Sequence, residues 1–255
     1  MALGGGGAKG LCHIAFLGAL DEMGLKPSII AGTSIGAIVG GFYAGGMSAA
    51  QMEHDLGKVG FKDIYKMVDF SLFSTSALLR GKGVEDFLSK NIPARQFAEL
   101  EIPLKVVATD FWGRQEVIFS SGELIPAIRA SMAMPAIFEP VVMGDRVLID
   151  GGAVNPLPYD IIRKDCDILV AIDVSGEKTR RGNDSVPDML ESILSTFQIM
   201  QASIVESKKR ISRPDIYIKP LLKDIRVLDF YRYEEIIKDV RNDVEIFKYK
   251  LERLL

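Results

Sequence analysis

The five residues Gly32-Thr33-Ser34-Ile35-Gly36 have the types and spacing for nucleophilic chemistry. They form a G-x-S-x-G pattern between an apolar run, Ser28-Ile29-Ile30-Ala31, and a small-residue apolar run from Ala37 to Ala44. That order reads as a buried strand, a sharp turn and a helix packed closely on a sheet. Flanking glycines leave room for a strained backbone, so the serine hydroxyl stands exposed at the helix N-terminus. The partial positive charge there favours a developing oxyanion. The plainer reading of the same residues is a glycine-rich turn whose serine caps a helix.

A serine nucleophile needs a base, and histidine is the usual one. The chain has only His13 and His54. An α/β-hydrolase runs Ser, then Asp or Glu, then His, and no histidine follows Asp150. His13 falls in an apolar helix just past Gly10 and reads as structural. His54, between Glu53 and Asp55, reads as solvent-facing. With Cys12 and Cys166 they make neither a zinc spacing nor a disulfide framework. A carboxylate is left. The strand Arg146-Val147-Leu148-Ile149 delivers Asp150 into Gly151-Gly152. With an ordinary pKa of about 3.9, an aspartate serves as base only when partly buried and bonded directly to the hydroxyl. Asp-Gly is also the commonest of turn dipeptides.

A second glycine-rich stretch, Gly4-Gly5-Gly6-Gly7-Ala8-Lys9-Gly10, opens the chain and leads into a helix from Leu11 to Met23. Backbone N–H groups gathered around one point suit an anion or an oxyanion. The register Gly5-x-Gly7-x-x-Gly10 also satisfies a dinucleotide fingerprint. That fingerprint wants an acidic residue at the end of the second strand. Here the second strand runs into Gly32-Thr33-Ser34 instead.

Taken together, Gly5-Gly6-Gly7-Ala8-Lys9-Gly10, Gly32-Thr33-Ser34-Ile35-Gly36 and Asp150-Gly151-Gly152 resemble the three signature blocks of the patatin-like phospholipases, in order. The segment Ala130 to Pro140 resembles the family's proline-bounded stretch. The likeness runs from Leu3 to Val174, and in layout is most similar to small bacterial members and to the esterase domain of neuropathy target esterase. The resemblance implies a three-layer α/β/α sandwich with a mainly parallel central sheet. It implies Ser34 as nucleophile, Asp150 as general base and acid, and the amides of Gly5, Gly6 and Gly7 as oxyanion hole. Lys9 is expected to fix the loop or face lipid head groups. The implied substrate is a phospholipid or lysophospholipid at a membrane surface, hydrolysed without metal or organic cofactor. An acyltransferase or thioesterase on the same dyad and, from another class, a nucleotide-binding module are the alternatives.

The elements that must position these residues follow from the pattern. Leu104 to Thr109 and Gln115 to Phe119 read as strands, and Ile125 to Met134 as a helix stopped by Pro135. Met132, Met134 and Phe138 are candidates to line an acyl pocket, since methionine adapts to flexible apolar ligands; simple packing is the alternative. Ile168 to Val174 is the clearest buried strand and is expected centrally. The irregular apolar stretch Phe61 to Leu79 reads as a cap over the site or as ordinary core. Met189, Leu190, Ile193, Leu194, Phe197, Met200, Ile204 and Val205 recur at helical spacing, which predicts a long amphipathic helix. In the tail, Ile237, Val240, Val244, Phe247, Leu251 and Leu254 form an a/d stripe that docks on the body or makes a homodimer.

The 255 residues suffice for one α/β domain, here read as residues 1–255 with 175–255 as a helical extension. A net charge of −3 without blocks of one sign gives no reason to expect nucleic acid. No apolar run approaches the ~20 residues that span a bilayer, and no signal-peptide core precedes the glycines. With the resemblance to small bacterial family members, the expectation is a bacterial protein, cytoplasmic or peripheral on the inner face of a membrane. The abrupt start, with only Met1-Ala2-Leu3 before the glycine loop, suggests a native chain that begins earlier.

Overall fold

The computed structural model describes residues 1–58, 82–176 and 186–255, so the cap reading of Phe61 to Leu79 lies outside the described residues. Strand β1 (Ala2–Leu3) leads through a 3₁₀ turn, Gly7–Cys12, into α1 (His13–Glu22). Then come β2 (Ile30–Thr33), α2 (Ile35–Ala44), α3 (Ala49–Lys58) and α4 (Lys82–Asn91). The next block holds β3 (Leu104–Asp110), β4 (Gln115–Phe119), α5 (Leu124–Ser131), β5 (Val141–Met143) and β6 (Arg146–Asp150). The chain ends with β7 (Val170–Ile172), α6 (Met189–Ile211), β8 (Ile216–Ile218), α7 (Tyr233–Asp239) and α8 (Arg241–Glu252).

These elements build one eight-stranded mixed sheet flanked by helices, as the resemblance implied. Strands β3, β2, β1, β7 and β8 are parallel neighbours in that order. The register at β3 decides the geometry of the site. Strand β4 lies antiparallel along one edge of β3 from Val106 to Asp110. On the other edge, β2 pairs as far as Thr33 with Val107, and β6 takes over antiparallel with Asp150 opposite Ala108. Two strands of opposite direction therefore abut end to end on one edge, and their C-terminal ends meet. Strand β7 is fully buried but lies one place in from the β8 edge, with β1 and β2 nearer the middle.

The main core packs α1, α2, α4 and α5 on the sheet around Leu3, Phe16, Leu17, Ile30, Leu88 and Ile128. The tail stripe docks on the body: Phe247 of α8 is buried, and its ring stands edge-on to Phe16 of α1 at 5.7 Å. Lys248 adds an ion pair to Glu22 at the rim. The long helix expected from the apolar spacing is α6, but several of its apolar residues are exposed. Met189 is 81% exposed, Ile193 46% and Met200 57%, while its buried residues are Gln201 and Val205. Of the apolar stripe, Met189, Leu190, Ile193 and Met200 face outward, while Leu194 packs half-buried on the core and Val205 is buried, so the inward face is of mixed polarity.

Candidate active site

Ser34 sits at the junction of β2 and α2 with φ 55° and ψ −122°, a backbone that a residue with a Cβ rarely adopts. Close approach explains the flanking glycines. A Cβ on Gly36 would lie 2.1 Å from the Leu3 carbonyl oxygen, and one on Gly32 would lie 2.5 Å from that of Gly36. The turn is held from outside by Ser131, the last residue of α5, whose Oγ accepts the Ser34 amide at 2.8 Å. Thr33 Oγ1 donates to the Asn155 carbonyl at 2.8 Å. Helix α5 ends at Ser131, before the expected Met134, and its terminal serine braces the Ser34 turn. The sequence named Ser131 only as part of a family segment; its position just after an apolar helical run was the available signal.

Asp150, at the end of β6, is 1% exposed. Its Oδ1 accepts the Gly152 amide at 2.7 Å, and its own amide donates to Ala133. The meeting of β2 and β6 brings its carboxyl to the Ser34 hydroxyl. Burial pushes the Asp150 carboxyl up to about 6, opposed by hydrogen bonding from the Ser34 hydroxyl and the Gly152 amide. A carboxylate in that state is ionised at neutral pH yet closer to neutrality than an exposed one, which suits a proton acceptor.

The glycine loop lies against both. Gly6 and Gly7 line the cavity that holds Ser34 and Asp150, and among the described residues their amides have no hydrogen-bond acceptor. Gly5 differs: its amide donates to the Pro156 carbonyl at 2.9 Å. The amide expected as a third oxyanion donor instead anchors the loop. A Cβ on Gly6 would meet the Val174 oxygen at 2.5 Å, and one on Gly7, at φ +62°, the Val227 oxygen at 2.4 Å.

His13 and Lys9 brace this loop from below. His13 is fully buried, and burial pushes its imidazole down to about 4. A neutral ring then donates from Nε2 to the Gly4 carbonyl at 2.8 Å, the tautomer following from that acceptor. Lys9 is buried too, with Nζ donating to the Ser175 carbonyl at 3.3 Å. It fixes the loop; at this depth it does not face head groups. His54 is exposed on α3.

Ser34 and Asp150 open on a cavity of about 810 Å³, within the range of small-molecule sites. Its walls are mainly apolar, from Leu11, Ile14, Ile38, Val39, Phe42 and Phe87 among others. The structure puts Met132, Met134 and Phe138 on this wall. Two polar residues not foreseen, Gln198 and Gln201, reach in from α6. They sit inside an apolar repeat, and periodicity alone assigned that face to solvent.

A strained serine at a strand–helix turn, facing a buried carboxyl beside a glycine loop on a mixed α/β/α sheet, is the frame of one class of acyl hydrolases. The patatin-like phospholipase model matches residues 1–162, and the chain belongs to that family. An uncharacterized NTE family protein of Mycobacterium tuberculosis is 34% identical over 190 residues, covering 74% of this chain and 52% of the relative. The lysophospholipase NTE1 of Kluyveromyces lactis is 29% identical over 271 residues, covering 92% of this chain and 18% of its own length. The chain thus spans about half the length of the mycobacterial relative and far less of the yeast one. Among solved structures, the type III effector protein ExoU is similar with a TM-score of 0.48 and 17% identity, over 98% of this chain and 52% of that one.

Proposed function

We propose that the chain hydrolyses acyl esters of phospholipids or lysophospholipids through a covalent intermediate on Ser34, with Asp150 as the only proton acceptor. The observation that carries the reading is the meeting of Ser34, on its strained turn, with the buried Asp150 carboxyl at the wall of an apolar cavity. Ser34 Oγ attacks the ester carbonyl while its proton passes to Asp150. The amides of Gly6 and Gly7 and the N-terminus of α2 stabilise the oxyanion. The C–O bond to the alcohol then breaks, and Asp150 returns the proton to the leaving oxygen. In the second half Asp150 takes a proton from water, whose oxygen attacks the acyl-enzyme, and Ser34 leaves reprotonated.

The acyl chain occupies the cavity along Met132, Met134 and Phe138. A peripheral membrane surface is the partner, supported by Met189, Ile193 and Met200, which stand exposed on the outer face of the helix whose inner face lines the cavity. Among the described residues no helix is long and apolar enough to cross a membrane.

The test is fatty-acid release from micellar lysophosphatidylcholine and from phosphatidylcholine vesicles, with and without glycerol as acceptor. The reading expects free fatty acid that disappears in Ser34→Ala. Acylated glycerol as the dominant product would convert the assignment to a transferase, and undiminished release by Ser34→Ala would overturn it.

A further inference from the structure

We propose that Gln198 and Gln201 recognise the free glycerol hydroxyl of a monoacyl substrate and so set selectivity on the alcohol side of the scissile ester. This rests on the acyl-hydrolase reading above and assigns its site a part that the nucleophile, base and glycine loop do not supply.

Helix α6 presents Gln198, Gln201, Val205 and Lys208 inward at spacings of three, four and three, one continuous helical face. The two C-terminal members fix it. Val205 is buried, and Lys208 Nζ is clamped by Asn155 Oδ1, Asp160 Oδ1 and the Leu157 carbonyl. The backbone carbonyl of the same Asn155 accepts from Thr33, the residue before Ser34. The helix is therefore tied to the Ser34 turn, and its two glutamines are set where they stand.

Neither glutamine side chain has a hydrogen-bond partner among the described residues. Gln201 is 4% exposed, and Gln198 Nε2 is buried. A buried polar atom without a partner, as Gln198 Nε2 is, is unfavourable and uncommon, and Gln201 sits one turn away on the same cavity wall. Their chemistry selects the ligand. A neutral amide offers both a donor and an acceptor, which matches a hydroxyl; a phosphate would call for arginine or lysine.

Position does the same. A Cβ on Gly152 would touch Gln201 Nε2 at 1.9 Å and Asp150 Oδ1 at 2.9 Å, so amide and carboxyl flank one backbone atom. The leaving alcohol must take its proton from Asp150. Its oxygen then lies beside that carboxyl, and the adjoining glycerol carbons with their hydroxyl fall to the glutamines.

The experiment compares kcat/KM for 1-acyl-glycerophosphocholine, for its analogue lacking the free glycerol hydroxyl, and for a p-nitrophenyl ester of the same chain. Wild-type protein is expected to prefer the hydroxyl-bearing lipid over the analogue by roughly tenfold, and Gln201→Leu and Gln198→Leu to erase that preference. The wild-type comparison stands even if a variant misfolds. A wild-type preference below about twofold, or a preference untouched in both variants, overturns the assignment. Organophosphonate labelling of the same preparations separates the two levels: labelled Ser34 with no hydroxyl preference defeats the glutamine assignment alone, and unlabelled Ser34 defeats both.

Discussion

Ser34 and Asp150 are more than a hundred residues apart and meet because β2 and β6 share one edge of β3. Thr33 is the last partner of β2, opposite Val107, and Asp150 the last of β6, opposite Ala108. A parallel and an antiparallel strand run toward each other and stop with their ends in contact. One end turns into α2, which leaves the serine on a strained turn; the other is capped by Gly152, which turns the carboxyl inward. Strand β6, running antiparallel to β3, is what brings the Asp150 carboxyl to Ser34.

The raised carboxyl of Asp150 predicts the acid limb of activity. In the proposed mechanism hydrolysis of a short-chain ester needs the ionised form, so kcat/KM should fall about tenfold per pH unit below about 6. A stopped-assay pH profile checks this. A rate that stays flat down to pH 4.5 would assign the base to another group.

The same group makes a prediction for stability, of opposite sign to that of an ion-paired carboxylate. Its folded pKa, about 6, lies above the free value of 3.8, so the folded state holds the proton more tightly. The contribution is full below 3.8 and lost as pH rises through 6. Asp150→Asn, with no charge to desolvate, should melt higher than wild type at pH 8, and this advantage should shrink at pH 4. Asp150→Asn should also abolish turnover, giving a folded, more stable and inactive protein.

His13 titrates the other way. Its folded pKa of about 4 lies below the free value of 6.5, so the unfolded chain binds the proton first. Stability is full above 6.5 and is lost as pH falls toward 4. His13→Gln keeps an amide donor toward the Gly4 carbonyl and removes the titration. Urea midpoints between pH 7 and pH 4.5 should therefore fall less in His13→Gln than in wild type.

Lys208 ties α6 to the loop that carries Asn155 and Leu157, and its burial pushes the ammonium pKa down. Lys208→Met would leave Asn155 Oδ1 without a described donor and Asp160 without its ion pair. The expected loss is about 1–3 kcal/mol in urea unfolding. Activity should fall with it, because Thr33 and the glutamines hang on the same contacts.

Gly6 and Gly7 test the proposed oxyanion-donor role apart from the anchoring bond of the Gly5 amide. Alanine at either would drive a Cβ to within 2.5 Å of a carbonyl oxygen, of Val174 or Val227. The resulting shift in the loop should lower kcat by about 10²-fold or more. Gly5→Ala, whose Cβ would come within 3.3 Å of the Ser34 Cβ, should act through Ser34 packing. Kinetics on a short-chain ester, with circular dichroism to verify folding, measure the difference.

Much of this was legible in the chain. Glycine spacing around Ser34, the apolar runs into β2, β3 and β7, and the absence of a late histidine pointed to a serine with a carboxylate partner on an α/β sheet. What was not legible depends on pairing. Nothing local in Arg146 to Asp150 says that this strand runs antiparallel and takes over the edge of β3 that β2 leaves. Nor does the Gly5 amide reveal that it is spent on Pro156 rather than on an oxyanion. For α6 the periodic signal found the helix but did not say which of its apolar residues face the body. Apolar residues every third or fourth position ordinarily face a core, and here Met189, Ile193 and Met200 face out while Gln198, Gln201 and Lys208 look in. Apolar periodicity finds the helix; only the polar contacts of its inner face say which way it turns.

The most direct test of the central claim is covalent labelling with an organophosphonate, read by intact mass and peptide mapping. The account predicts one adduct per chain, on Ser34, lost in Ser34→Ala and formed much more slowly in Asp150→Asn. Folded protein that stays unlabelled at Ser34, or labels there equally fast in Asp150→Asn, would contradict it.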